Sequence, residues 1–298
     1  MRSIRLRSLL AGFLLAIFVA ACTGASPTPT IPPVAPSTPT PVPSPSPTPL
    51  PMALIVNAEG IPVVEFEAEL ARLKDAQTAH NISASADQQK QTVLDDLTNQ
   101  MLLAQAARQA GFTLDEGALD SRIQIVKDKA GGEGSFSDWL NKNHYTPDSF
   151  RSALRRSIAA TWQVEDLASK VPTTAEQIHA RQILVLNQKT ADSFYKLLQS
   201  GTVFATLASE LDPLTKGDLG WFPRGYLTQV DVENAAFALQ PGGYSVVIQT
   251  SFGFHIVQLL DRKPDAILAP DVLRQLQRQA LSQWLKQQHN QAKVEIRI

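Results

Sequence analysis

The residue types that could do chemistry are few in this chain. It has 298 residues, one cysteine and five histidines. The cysteine, Cys22, cannot close an internal disulfide, and His80, His144 and His289 show no metal-ligand spacing. What remains is a stretch from Gly217 to His255 in which polar groups alternate with glycine turns. A glycine-bracketed aromatic turn, Gly217-Asp218-Leu219-Gly220-Trp221-Phe222, comes first. A short amphipathic segment carries Val232, Ala235, Ala236, Phe237 and Leu239. Then follow Gly242-Gly243, an apolar run from Tyr244 to Ile248, Thr250, and a tight Ser251-Phe252-Gly253 hairpin before Phe254-His255-Ile256-Val257.

The order and spacing of GDLGWF, AAFAL and FGFHIV resemble the parvulin (PpiC, rotamase) family of peptidyl-prolyl isomerases, from about Ile178 to Lys263. Rotation about an X-Pro bond faces a barrier of roughly 18–20 kcal/mol, and no bond is made or broken. The implied chemistry therefore needs neither nucleophile, metal nor cofactor. It needs an apolar notch for the proline ring and polar groups that favour the twisted amide. The resemblance puts the substrate-binding notch on Leu219, Leu227 and Val232, with Phe254 beside them. Many parvulins carry methionine and phenylalanine where Leu227 and Val232 stand. It assigns His255 as the second family histidine, Thr250 as the hydroxyl and Asp212 as the Cys/Asp position. A carboxylate there would oppose charge on the substrate oxygen.

The first family histidine is replaced by glutamine, in Gln182-Ile183-Leu184 where the family has "HIL". Gln182 can donate and accept hydrogen bonds but cannot titrate. His179 lies three residues earlier, so strand geometry points it to the opposite face. The resemblance thus implies an isomerase whose activity is reduced, or alternatively a non-catalytic holdase with a vestigial parvulin domain. The loop Asn187-Gln188-Lys189 offers one lysine, which argues against phospho-Ser/Thr-Pro selectivity.

Which elements must position these groups? Net charge is −1, and 44% of residues are hydrophobic, ordinary for a globular protein. Three of the basic residues, Arg2, Arg5 and Arg7, crowd the N-terminus, and no basic stripe stands out, so no nucleic-acid partner is expected. Residues 1–22 read as an export signal. The apolar run Leu9 to Ala21 is too short to span a bilayer. Val19-Ala20-Ala21-Cys22 resembles a bacterial lipobox, which implies an extracytoplasmic protein held on the cell membrane by lipidated Cys22. Residues 23–51 form a tether, with a Pro/Ser/Thr tract from Ser26 to Pro51 that reads as extended and spans some 70–80 Å.

Residues 52–171 read as helical, opened by a short strand Ala53 to Val56. The entry Asn57 to Val63 is similar to SurA- and PrsA-type chaperone domains. Helices are expected over Glu65 to Gln77, Asp87 to Ala110, about Thr113 to Ala130 with a Thr113–Glu116 capping box, Ser137 to Asn141, and Asp148 to Lys170 behind Thr146-Pro147. Gly131, Gly132 and Gly134 are expected to break the third. The parvulin unit takes 172–264, with a strand Ile178 to Leu186 and helices Thr190 to Ser200 and Val203 to Glu210. A helix Pro270 to Gln291 and an alternating strand Val294 to Ile298 follow. Residues 268–298 are expected to complete the helical domain, the last strand pairing with Leu54 to Val56 and the helix covering it through Leu276, Ala280 and Trp284. The fold class is α+β: a mostly helical SurA/PrsA-like chaperone domain with an inserted parvulin domain, a small antiparallel sheet ringed by helices. The implied partners are unfolded or partly folded exported polypeptides.

Overall fold

The computed structural model describes residues 50–298. The expected export signal (1–22), the expected lipobox at Cys22 and nearly all of the expected tether lie outside the described residues. Among those described, no helix is long and apolar enough to cross a membrane.

The described part opens with an antiparallel hairpin, β1 (Met52–Val56) and β2 (Glu59–Pro62). Its turn is made at Asn57, whose φ of +57° is one that asparagine tolerates. Five helices follow. α1 (Val63–Ala79) starts directly behind Pro62. α2 (Ala86–Gln109) is closed at its start by a capping box between Ser85 and Gln88. α3 (Glu116–Ala130) is capped by Asp115, whose carboxylate accepts the Ala118 N–H at 2.9 Å. The expected Thr113 cap is therefore displaced by two residues, because an aspartate at the helix edge competes better for the free N–H groups. α4 (Glu133–Lys142) is longer than expected. Gly131 and Gly132, with φ of +97° and +100°, make the break alone, and Gly134 is carried inside the helix. α5 (Pro147–Ser169) begins as read from the sequence, with Thr146 as cap and proline at the first position. Leu54, Val56, Ile61, Phe66, Leu97 and Met101 meet in one core under the hairpin. Burying each such side chain contributes about 1.5–3 kcal/mol.

The second part is built on a four-stranded sheet. In chain order it runs β3 (Thr174–Val185), α6 (Gln188–Gln199), α7 (Phe204–Leu211), β4 (Asp218–Pro223), α8 (Val230–Ala238), β5 (Ile248–Thr250) and β6 (Gly253–Ile267). The strand order is β4-β3-β6-β5, every pair antiparallel. The block expected as an aromatic turn is strand β4, because Phe222 pairs with Ile178 and is fully buried. Tyr244 to Ile248 is mostly irregular; Ser245 turns inward and its hydroxyl accepts the Val257 N–H at 3.0 Å. Alternation along the strands sends Ile178, Ala180, Val257 and Leu259 to the face under α8. Ile183, Val185 and Ile256 go to the face under α6 and α7.

Helix α9 (Pro270–Gln291) and strand β7 (Val294–Ile296) return to the helical part. The expected pairing is present, with Leu54 opposite Ile296 and Val56 opposite Val294. Asn57 fastens it: its amide donates to Gln105 Oε1 at 2.7 Å and its carbonyl oxygen accepts the Lys293 N–H at 3.1 Å. The expected cover of β7 by α9 is absent. Val294, Ile296 and Ile298 are exposed, and Leu276 lies beside Gly225 of the second part. The reason is the way α9 is held, by His289 to Asn99 on α2 and by Gln277 to the Ala168 carbonyl on α5.

Candidate active site

Gln182 on β3 and His255 on β6 share the sheet face covered by α8. The register sets Gln182 opposite Val257 and Leu184 opposite His255, so the two polar residues are diagonal neighbours. His255 Nδ1 lies 2.9 Å from Gln182 Oε1, and His255 Nε2 lies 2.9 Å from Thr250 Oγ1. An amide oxygen only accepts, so the imidazole donates its Nδ1 proton to Gln182 and Nε2 accepts the Thr250 hydroxyl proton. Both ring nitrogens are thereby satisfied in the neutral form. His255 is 3% exposed, and burial pushes its pKa down.

The hairpin that presents Thr250 depends on glycine. Thr250 pairs with Gly253, whose φ is +134°, and a Cβ there would run into the Val185 carbonyl. Thr250 Oγ1 also accepts the Phe252 N–H at 3.0 Å, which fixes the hydroxyl.

The hydrogen bonds of Asp212 stay within its own loop. Asp212 ends α7 and caps the loop that follows. Its Oδ1 accepts the N–H groups of Leu214 and Thr215, and its Oδ2 accepts the Thr215 hydroxyl and the Gly217 N–H. These four bonds occupy the lone pairs of the carboxylate, and the Thr215 hydroxyl bond leads in holding it below the usual carboxylate range. The loop in turn carries Gly217, whose carbonyl accepts the Gln182 N–H at 2.8 Å. A side chain at Gly217 would collide with the Gln182 carbonyl. Asp212 therefore reaches the site through the loop and Gln182.

Leu219, Leu227 and Val232 meet in one cluster with Phe222, Phe237 and Ile248. The β3–β4 register jumps from Ala180 opposite Gly220 to Arg181 opposite Asp218, so Leu219 is the extra residue of a bulge. Leu219 and Leu227 are half-buried, while Val232 at 2% exposure forms floor, not rim. Phe254 is a correction: it packs with Ile183 and Ile256 under α6 and α7, on the far face of the sheet from His255. Neighbours on a strand face opposite ways, so Phe254 and His255 cannot both line the notch. His179 lies on the other face, as its spacing implied, bonded to Asp218 at 2.8 Å and stacked on Trp221.

One positioning group was not singled out in the sequence. Glu233 is buried and its carboxylate accepts the N–H groups of Gly225 at 2.8 Å and Leu227 at 3.0 Å. It holds the loop that carries Leu227. Gln275 of α9 supports the same loop by donating to the Tyr226 carbonyl at 2.8 Å. The available signal was an acidic residue four positions before Phe237, on an otherwise apolar helix stripe. Among the described residues, no group of three His, Cys, Asp or Glu side chains is arranged to hold a metal ion. The arrangement is a neutral imidazole–hydroxyl pair beside an apolar shelf.

Known proteins are similar to this chain over both parts of it. Residues 172–261 match the PPIC-type PPIASE domain, and residues 42–163 match the SurA-like N-terminal domain. The foldase protein PrsA of Caldanaerobacter subterraneus subsp. tengcongensis is 31% identical over 179 residues, 57% of this chain and 56% of that protein. The chaperone SurA of Thiobacillus denitrificans is 37% identical over 142 residues, 41% of this chain and 32% of that protein. The chain thus spans little more than half the length of the foldase and a third of the chaperone. NmPin, the parvuline of Nitrosopumilus maritimus, is 35% identical in its solution structure, with 98% of that chain and 29% of this one covered and a TM-score of 0.27. Residues 172–261 of this chain are thus similar to PpiC-type peptidyl-prolyl isomerase domains, behind a stretch, 42–163, similar to the SurA-like N-terminal domain.

Proposed function

We propose that this chain is a membrane-anchored extracytoplasmic foldase that turns X-Pro bonds in exported, unfolded polypeptides between cis and trans. The observation that carries the reading is the line Thr250–His255–Gln182 beside the shelf of Leu219 and Leu227. In a planar amide the oxygen bears partial negative charge, and twisting the C–N bond returns that electron density to nitrogen. A cationic imidazole near the oxygen would stabilise the planar ground state. A neutral one, kept so by burial, leaves the twisted state relatively favoured. The proline ring would rest on Leu219 and Leu227 over Val232, and Thr250, aligned by His255, would face the amide. Asp212 and Glu233 act by holding the loops that carry Gln182 and Leu227.

The same reading divides the chain into a helical chaperone domain, 52–171 completed by 268–298, and an inserted isomerase domain, 172–264. The pairing of β1 with β7 supports it. Val19-Ala20-Ala21-Cys22 supports a lipid anchor; Cys22→Ser should release the protein from the membrane fraction, and an unchanged acyl mass would refute the anchor. A second reading, a holdase without catalysis, is favoured by Gln182 in place of the first family histidine. A proline-limited refolding assay separates the two. Acceleration by the chain that falls about tenfold in His255→Ala, the size of one lost hydrogen bond, supports the enzyme. Equal rates with and without the chain support the holdase.

A further inference from the structure

β7 is one of the two outer strands of the three-stranded sheet β2-β1-β7. Its main-chain groups divide by parity. The Lys293 carbonyl accepts the Asn57 N–H at 2.7 Å and the Arg297 N–H donates to the Ala53 carbonyl at 2.9 Å. Lys293, Glu295 and Arg297 therefore turn their donors and acceptors toward β1. In an antiparallel ladder the residues between them turn theirs away. Among the described residues, Val294, Ile296 and Ile298 thus present unpaired N–H and C=O groups to the free edge. Their side chains share the face of Val56 and Leu54, opposite which Val294 and Ile296 stand. Yet Val294 is 38%, Ile296 52% and Ile298 39% exposed. An apolar edge of this kind is a template for another strand.

We propose that the occupant is the β7 of a second copy of this chain, paired antiparallel about a twofold axis through Ile296. The charge pattern selects this register. Centred on Ile296, the pairing sets Glu295 opposite the Arg297 position of the other copy, twice, and Val294 opposite Ile298. The outward-facing main-chain groups of Val294, Ile296 and Ile298 then meet their counterparts as hydrogen-bonded pairs. Centred on Glu295, it would set two glutamates face to face and Lys293 against arginine, which is unfavourable. A register offset by one residue would put apolar side chains on the charged face. The result is a continuous six-stranded sheet in which each copy covers the apolar edge of the other. A strand contact this short lies below the roughly 1,200 Å² of standard interfaces, so association is weak and rises with protein concentration.

The test is cysteine cross-linking of the purified full chain under mild oxidation, with the parent chain, whose one cysteine is Cys22, setting the background. Ile296→Cys should give a covalent dimer several-fold above that background, and Glu295→Cys should not. In sedimentation, Glu295→Arg should weaken the dimer by roughly tenfold, since the charge pair occurs twice. Adding Arg297→Glu should restore it. No dimer from Ile296→Cys, equal cross-linking at both positions, or failure of the charge swap to restore association would overturn the proposal.

Discussion

His255 Nδ1 donates to Gln182 Oε1 across 2.9 Å, at the position where this chain departs from the family pattern. The glutamine keeps the orienting hydrogen bond and gives up titration. Gln182→His restores the family residue on the same strand face, so isomerase activity should rise or stay unchanged. A proline-limited refolding assay measures it. Clear loss in a folded variant would show that the site has been rebuilt around an amide acceptor.

Thr250→Val keeps the side-chain shape and removes the donor to His255 Nε2. A buried acceptor left without a partner costs about 1–3 kcal/mol. The variant should lose stability of that order and most of its activity, and Thr250→Ser should recover both. Urea unfolding with parallel refolding assays reads the two effects, and full activity in the valine variant would remove the hydroxyl from the site.

Burial depresses the His255 pKa in the folded chain. Between that depressed value and the unfolded value of about 6.5, the unfolded state binds more protons. Stability from this residue is therefore complete above about pH 6.5 and is lost as pH falls through the folded pKa. Wild type and His255→Gln should differ in stability by a constant amount above neutrality, and the difference should move against wild type in acid. Activity should follow the neutral imidazole and fall on the acid side. A stability difference that moves toward wild type as the pH falls would contradict the assignment.

Asp212 accepts four hydrogen bonds inside its own loop, and none of its bonds reaches His255, Thr250 or the Gln182 side chain. Asp212→Asn loses charge but keeps an acceptor oxygen for the loop, so it should retain most activity. Asp212→Ala should loosen the loop and lower activity several-fold. If the charge itself acted on the substrate, both variants would fail alike. Refolding assays on the pair decide between the roles.

Much of this was legible locally. Strand parity alone puts Ile178, Ala180 and Gln182 on one face, and it also separates Phe254 from His255. Thr146-Pro147 marks the start of α5 without help from packing. The place of Asp212 was not legible, because its partners, three main-chain N–H groups and the Thr215 hydroxyl, take their directions only once the loop has closed. Glu233 was hidden for the same reason. The bulge at Leu219 depends on a register between distant strands. The open face of β7 depends on how α9 is rotated by its bonds to α2 and α5, which no periodicity in α9 specifies.

The ends of the described chain hold each other, and removing one should undo the other. Deleting the residues after Lys263 removes β7 from β1, the Lys293 partners of Asn57, and the bond from His289 to Asn99 on α2. It also strips Ala292 from the core that contains Leu54 and Leu97. β1 and β2 would then stand as a two-stranded hairpin, which is marginal in water without a third strand. The sheet β4-β3-β6-β5 loses only the last strand pairs of β6 with β3, and its clusters under α8 and under α6 and α7 stay whole. Hydrogen exchange on the deletion variant should show protection lost across Met52–Val56 and α1 and α2, and kept in β3 and the centre of β6. One finer effect follows from Gln275. Without its bond to the Tyr226 carbonyl the loop carrying Leu227 is held less firmly, so its amides should exchange faster and substrate affinity should fall more than turnover. Unchanged protection across α1 and α2 would make the C-terminal segment an independent appendage.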